Sequence, residues 1–252
     1  MKTLTATLAI SLVAGTGAAQ GFTTPDSYGW SRGVDDSSYF GWDDLTSVSG
    51  GNVPDLGSYP SPLPAGWATP DVFELSGNGF VTSTGNIYSF SGPIEIEVVA
   101  PAAPVTGGTT TVLLQTRTQG REIDASTVNC DGVAPSEVVE LYRFNLGPDG
   151  IGGGYLVETL WRFEVPADGT VVIGFESDGE SMSLDSVVVD TFSEEGSSCL
   201  ADVNGDGSVT PADFSAWVAA FNAQSAGCDQ NGDGACSPAD FSAWVSNFNA
   251  GC

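Results

Sequence analysis

The chain has 252 residues, room for an exported leader, one sandwich-sized domain and a small module, but not for two large domains. It carries 32 acidic against 6 basic residues and no histidine. That balance excludes nucleic acid as a partner, because phosphate binding needs clustered Lys and Arg, and it excludes any nucleophile activated by histidine; calcium and neutral glycans remain suited to so acidic a chain.

At the start, Lys2 supplies a positive charge, residues 4–13 an apolar run, and Gly17, Ala18 and Ala19 a small-residue cleavage site. This pattern reads as a secretory signal over residues 1–19, cut after Ala19. No later run approaches the ~18–20 apolar residues of a membrane helix. The expectation is a chain without a transmembrane segment, secreted to the extracellular space or the cell surface.

Residues 20–195 read as strands separated by Gly, Pro and Asp breaks, at 79–84, 86–90, 94–99, 110–118, 137–144, 155–165, 170–176 and 181–191. Eight such strands predict a mainly β fold, an antiparallel β-sandwich of jelly-roll type. Residues 22–70 read as long loops with one or two short strands. Trp30, Tyr39, Trp42 and Trp67 are predicted to plug the ends of the sandwich, with stacking on sugar rings as the alternative role. The run from Ser181 to Thr191 resembles the closing strand of lectin-like sandwich domains in exported bacterial proteins.

A glycosidase needs two carboxylates facing each other across a cleft. Glu95 and Glu97 share one face of a strand but alternate with Ile94, Ile96 and Val98, the pattern of a solvated sheet face, and Glu158, Glu164 and Glu176 carry no distinguishing context. No catalytic residue is therefore assigned. The domain is expected to be a binding or structural one, the alternative being a small polysaccharide-degrading enzyme or a carbohydrate-binding module.

Of five cysteines, Cys199, Cys228, Cys236 and Cys252 crowd the C-terminal end, and they allow three disulfide pairings. Cys130 is left over, as a free thiol or an intermolecular link.

After a short linker at 194–198 the chain repeats itself at an offset of 27 residues, which sets Asp202, Asn204, Asp206, Gly207 and Asp213 over Asp229, Asn231, Asp233, Gly234 and Asp240. In each copy, side-chain oxygens fall at loop positions one, three, five and twelve. The carbonyl of Ser208 or Ala235 falls at position seven, and a glycine at six makes the sharp turn. This is the spacing by which a chain wraps oxygen donors around a hard cation, so two calcium ions are expected, one per loop. Thr210 and Ser237 stand at position nine, where each also serves as N-cap to Pro211 or Pro238 and the acidic residue at the third helical position. Behind them Phe214, Trp217, Val218 and Phe221, and again Phe241, Trp244, Val245 and Phe248, follow helical spacing and predict two apolar stripes that face each other.

These residues resemble a dockerin, the paired loop–helix module with which secreted bacterial proteins dock onto cohesin domains. Three features carry the likeness. Each loop closes with Asp, no helix enters before Asp202, and the two units are close copies. The ending at Asn249, Ala250, Gly251 and Cys252 resembles a Gly-Cys-terminated subgroup. The resemblance covers residues 196–252 and implies a small α-helical module held by calcium, with a cohesin-like or other extracellular scaffold protein as partner and polysaccharide as a further one. Cellulosomal dockerins often carry polar recognition residues at loop positions ten and eleven. This chain has Pro211 and Ala212, and Pro238 and Ala239, at those places.

Overall fold

The computed structural model describes residues 21–148, 153–195, 199–205 and 208–250. The leader expected at 1–19, the predicted ligand Asp206, its neighbour Gly207, and Cys252 lie outside the described residues. The chain divides between Glu194 and Glu195 into two compact units.

The first unit is two antiparallel sheets face to face. Its strands are β1 (Ser37–Trp42), β2 (Ser58–Tyr59), β3 (Asp71–Glu74), β4 (Gly79–Val81), β5 (Ile87–Ser89), β6 (Glu95–Pro101), β7 (Thr109–Gly120), β8 (Asn129–Cys130), β9 (Glu137–Gly147), β10 (Gly154–Pro166), β11 (Thr170–Glu176) and β12 (Met182–Glu194). The larger sheet runs β2-β1-β12-β7-β10-β9, with the β4–β5 hairpin attached to β12, and the smaller runs β3-β6-β11-β8. From β6 onward, successive strands mostly switch sheets, so the connections cross the core at its ends.

All eight predicted strands are present. β1 and β2 fall where one or two short strands were expected among residues 22–70, without a position assigned to them; β3 and β8 were not expected, and β1 shows why such strands are hard to place. It is buried almost throughout, with Phe40 and Trp42 turned into the core and Tyr39 on the opposite face under Arg32. A strand covered on both faces has no polar–apolar alternation for sequence reading to detect.

Alternation elsewhere places one face of each sheet inside. Val112 and Leu114 of β7, Trp161 and Phe163 of β10, and Val187 and Val189 of β12 meet Ile96 and Val98 of β6 and Ile173 and Phe175 of β11 in one core. Cys130 sits in that core, fully buried and free. Burial pushes its thiol far above the usual range, so it packs as a small apolar side chain rather than forming an intermolecular link.

The outer face of the large sheet is covered too. Residues 22–34, expected to be loop, lie across it. Thr23 exchanges two backbone bonds with the Gln115 amide (2.8 and 3.0 Å). Trp30 stacks on Phe192 at 5.5 Å and packs with Leu113 and Leu160. The Arg32 guanidinium grips buried Asp190 through two bonds, at 2.5 and 2.8 Å. Trp30 and Trp42 are thus buried packing residues, Trp30 on the outer face of the large sheet and Trp42 in the core, and Trp67 is half-buried.

The second unit holds two helices, α1 (Pro211–Ala223) and α2 (Pro238–Ala250), each following one of the repeated loops. Their apolar stripes meet through rings: Phe214 lies 5.2 Å from Trp244 and 6.0 Å from Phe241, and Trp217 lies 5.6 Å from Phe241. Trp217 and Trp244 are buried, but Phe214, Val218, Phe241 and Val245 remain 37–44% exposed. Two short helices cannot cover both edges of both stripes, so only the middle of the predicted core is closed.

Candidate functional site

The oxygen-rich loops of the second unit owe their shape to their own polar side chains. In the second loop, Asp229 Oδ1 accepts from the backbone N–H of Gly232 (2.8 Å) and Asp233 (3.2 Å), and Oδ2 accepts from Gly234 (2.8 Å). Asn231 Oδ1 accepts from Asp233 N–H at 2.9 Å, and Asp233 Oδ1 from Ala235 N–H at 2.9 Å. Gly232 and Gly234 take φ of 73° and 80°, the left-handed values such a tight turn requires. At the root, buried Asp240 accepts from Gln230 N–H (3.0 Å) and Asn231 N–H (3.3 Å) on one oxygen and from Ser237 N–H (2.7 Å) on the other. One carboxylate therefore ties the start of the loop, its end and the first turn of α2.

The first loop repeats this where it is described. Asp202 Oδ1 accepts from Gly205 N–H at 2.8 Å, and buried Asp213 accepts from Asn204 N–H at 3.2 Å and Thr210 N–H at 2.8 Å. Thr210 caps α1 by accepting from Ala212 N–H at 3.2 Å, completing the predicted capping box with Asp213. Ser208, the predicted carbonyl donor, is exposed, as is its counterpart Ala235.

The donor set of Asp, Asn, Asp, a carbonyl and Asp is all oxygen and fits a hard divalent cation by its chemistry. Among the described residues, no group of three or more His, Cys, Asp or Glu side chains stands close enough together to hold a metal as it is. Cys228 is disulfide-bonded to Cys236, the residue at position eight of the second loop, with Cα atoms 5.6 Å apart, and Cys199 is also disulfide-bonded. Sequence alone left the pairing open.

Backbone donors hold the Asp213 and Asp240 carboxyls below the usual aspartate range, the N-cap residues Thr210 and Ser237 being the first cause in each. A lowered carboxyl contributes stability that is present above the unfolded value, about 3.9, and is lost as pH falls through the lower folded value. The helices should therefore persist through mildly acidic solution and melt below it. Asp240→Asn is expected to flatten that acid limb for α2 and lower its thermal midpoint by several degrees, read by circular dichroism against pH. An acid limb identical to the wild type would refute the assignment.

The first unit offers a different feature, a groove along β9 and β10 on the face that also carries Trp161 of the core. Val157, Thr159 and Trp161 of β10, Glu140 and Arg143 of β9, and residues 121–125 line it. It comprises two adjoining hollows of about 190 and 500 Å³ that share Glu122, Ile123 and Ala125. Arg143 organises it, donating to Glu122 at 2.8 and 2.7 Å, to Glu140 at 2.8 Å, and lying 4.8 Å from the Tyr155 ring. The pairing holds the Glu122 carboxyl below the usual range. Sequence reading did not find this site, because its residues come from three separated segments and none forms a motif.

Of the carboxylates considered for catalysis, Glu95 and Glu176 stand opposite each other in register on β6 and β11, both exposed at the strand ends. Glu95 and Glu97 alternate with buried Ile96 and Val98, Glu164 pairs with Arg162 at 2.7 Å, and Glu158 is buried against Arg117 at 2.6 Å. Comparison with known proteins identifies no relative: no family model, no curated protein and no solved structure matches the chain.

Proposed function

We propose that residues 196–252 are a dockerin-like module that binds two calcium ions and attaches the protein to an extracellular or cell-surface scaffold, and that residues 20–195, after export, form a non-catalytic binding domain. The observation that carries this is the repetition of one device. Two loops of identical donor order are each rooted by a buried aspartate that also caps a helix, and each helix leaves a matching exposed pair, Phe214 with Val218 and Phe241 with Val245. Paired exposed apolar side chains on adjacent helices suit a protein partner better than a small ligand. Calcium would be held in the first loop by Asp202, Asn204, Asp206, Ser208 and Asp213, and in the second by Asp229, Asn231, Asp233, Ala235 and Asp240.

For the sandwich we infer a jelly-roll topology, since β1-β12-β7-β10 and β6-β11-β8 have the interleaved order of a wrapped double Greek key. A second reading, a carbohydrate-binding module carried by the anchor, is favoured by the groove. Its two arginines, Arg121 and Arg143, are outnumbered by Glu122, Asp124, Glu140 and Asp178, which disfavours anions, while its fixed donors and acceptors suit a neutral, hydroxyl-rich ligand.

Both readings are tested with the full secreted chain as bait on envelope and extracellular fractions, and on a neutral polysaccharide resin. The scaffold reading expects capture of a protein that is lost on adding EDTA and in a Phe214→Ser/Phe241→Ser variant; capture indifferent to both defeats it. The second reading expects retention on the resin that survives EDTA and falls at least tenfold in Arg143→Ala.

A further inference from the structure

Between residues 201–223 and 228–250 the two repeats differ at seven places, and four of the differences tie down the second loop. Position by position, Cys228 and Cys236 stand where the first repeat has Ala201 and Val209, so only the second loop is cross-linked from the residue before its first ligand to its eighth position. Likewise Gln230 and Asn247 stand where the first repeat has Val203 and Ala220. Asn247 Nδ2 of α2 donates to both the backbone carbonyl and the side-chain oxygen of Gln230, at 3.2 Å each, and Gln230 Nε2 donates to the Gly227 carbonyl at 3.3 Å. Gln230 is 4% exposed, so this knot is internal. In the first repeat Val203 and Ala220 are apolar and can form no such bonds; both instead lie near Gly227.

A loop that must gather six to eight oxygens around an ion loses conformational freedom when it does so, and a covalent link across the loop removes much of that freedom beforehand. The internal hydrogen bonds at position two act in the same direction, because they hold the residue between the ligands at positions one and three to the helix that carries position twelve.

Resting on the calcium reading above, we propose that the two sites are inequivalent by construction: the loop of Asp229 to Asp240 is the pre-organised site and fills first, and the loop of Asp202 to Asp213 fills second, at calcium concentrations at least tenfold higher. Cys228, Cys236, Gln230 and Asn247 are positioning residues, which act on calcium only through the loop they hold.

The test is a calorimetric titration of the full chain with calcium chloride. Wild type is expected to show two steps, the tighter abolished by Asp229→Ala and the weaker by Asp202→Ala. The double variant Cys228→Ala/Cys236→Val, which writes the first repeat's residues into the second, should weaken the tight step at least tenfold and leave the other unchanged. Asn247→Ala, with the disulfide intact, should weaken the same step by a smaller factor and covers the case in which the double variant does not fold. Two equal steps, or a tight step that disappears in Asp202→Ala rather than Asp229→Ala, would overturn the proposal while leaving calcium binding in place. No calcium uptake at all would overturn the calcium reading with it.

Discussion

Chelating calcium is expected to unfold residues 196–252 while the sandwich stays folded. The second unit closes its core through a few rings, several of them more than a third exposed, and a module of that size does not bury enough apolar surface to be stable by packing alone. Each loop also brings three carboxylates into twelve residues, which repel one another until a cation is bound. Metal affinity then appears as folding free energy, roughly 2.7 kcal/mol per site at a hundredfold excess over Kd. Differential scanning calorimetry of the full chain should resolve two transitions. One should move upward with free calcium and lose its heat in excess EDTA, and the other should stay put. Two transitions unmoved by EDTA would sink the idea that calcium holds this unit together.

Arg117→Ala should destabilise the sandwich by roughly 3–5 kcal/mol, the cost of stranding a buried charge. Glu158 is 1% exposed on the outer face of the large sheet, its Oε1 accepts from Arg117 at 2.6–2.8 Å, and its Oε2 has no hydrogen-bond partner among the described residues. Nearby, burial pushes the Asp185 carboxyl up, and Arg117, 3.8 Å away, opposes that push. Removing the guanidinium therefore takes the ion pair from Glu158 and leaves Asp185 with amide donors alone, Asn86 at 2.7 Å and Gln119. Glu158→Gln in the same background should recover part of the loss, because the unpaired charge is gone. Urea melts of the single and double variants measure both terms. A single variant within about 1 kcal/mol of wild type would mean that Glu158 finds another partner once the guanidinium is gone.

What could be read without the structure was local. The capping boxes at Thr210 and Ser237, the prolines that follow them, the glycines of the loops and the period-two runs of β6, β7, β10, β11 and β12 are each encoded in a few consecutive residues. The backbone conformation those residues favour survived folding. The repeat of 27 residues likewise made the second unit legible as two copies of one device.

Tertiary structure decided whatever joins distant segments. Residues 22–34 lack the alternation of a strand and read as loop, yet they cover the large sheet because Gln115, 92 residues from Thr23, and Asp190, 158 residues from Arg32, wait there as partners. Glu158 has no context in sequence because its partner is 41 residues away on a neighbouring strand. The Arg143 groove exists because folding brings residues 121–125 beside β9 and β10, and the pairing of Cys228 with Cys236 selects one of several arrangements that composition permits equally. Short-range conformational preference is a property of neighbouring residues and is written in their order. Pairing across a sheet depends on which chain ends close on which, and burial of both faces erases the alternation by which a strand such as β1 would announce itself.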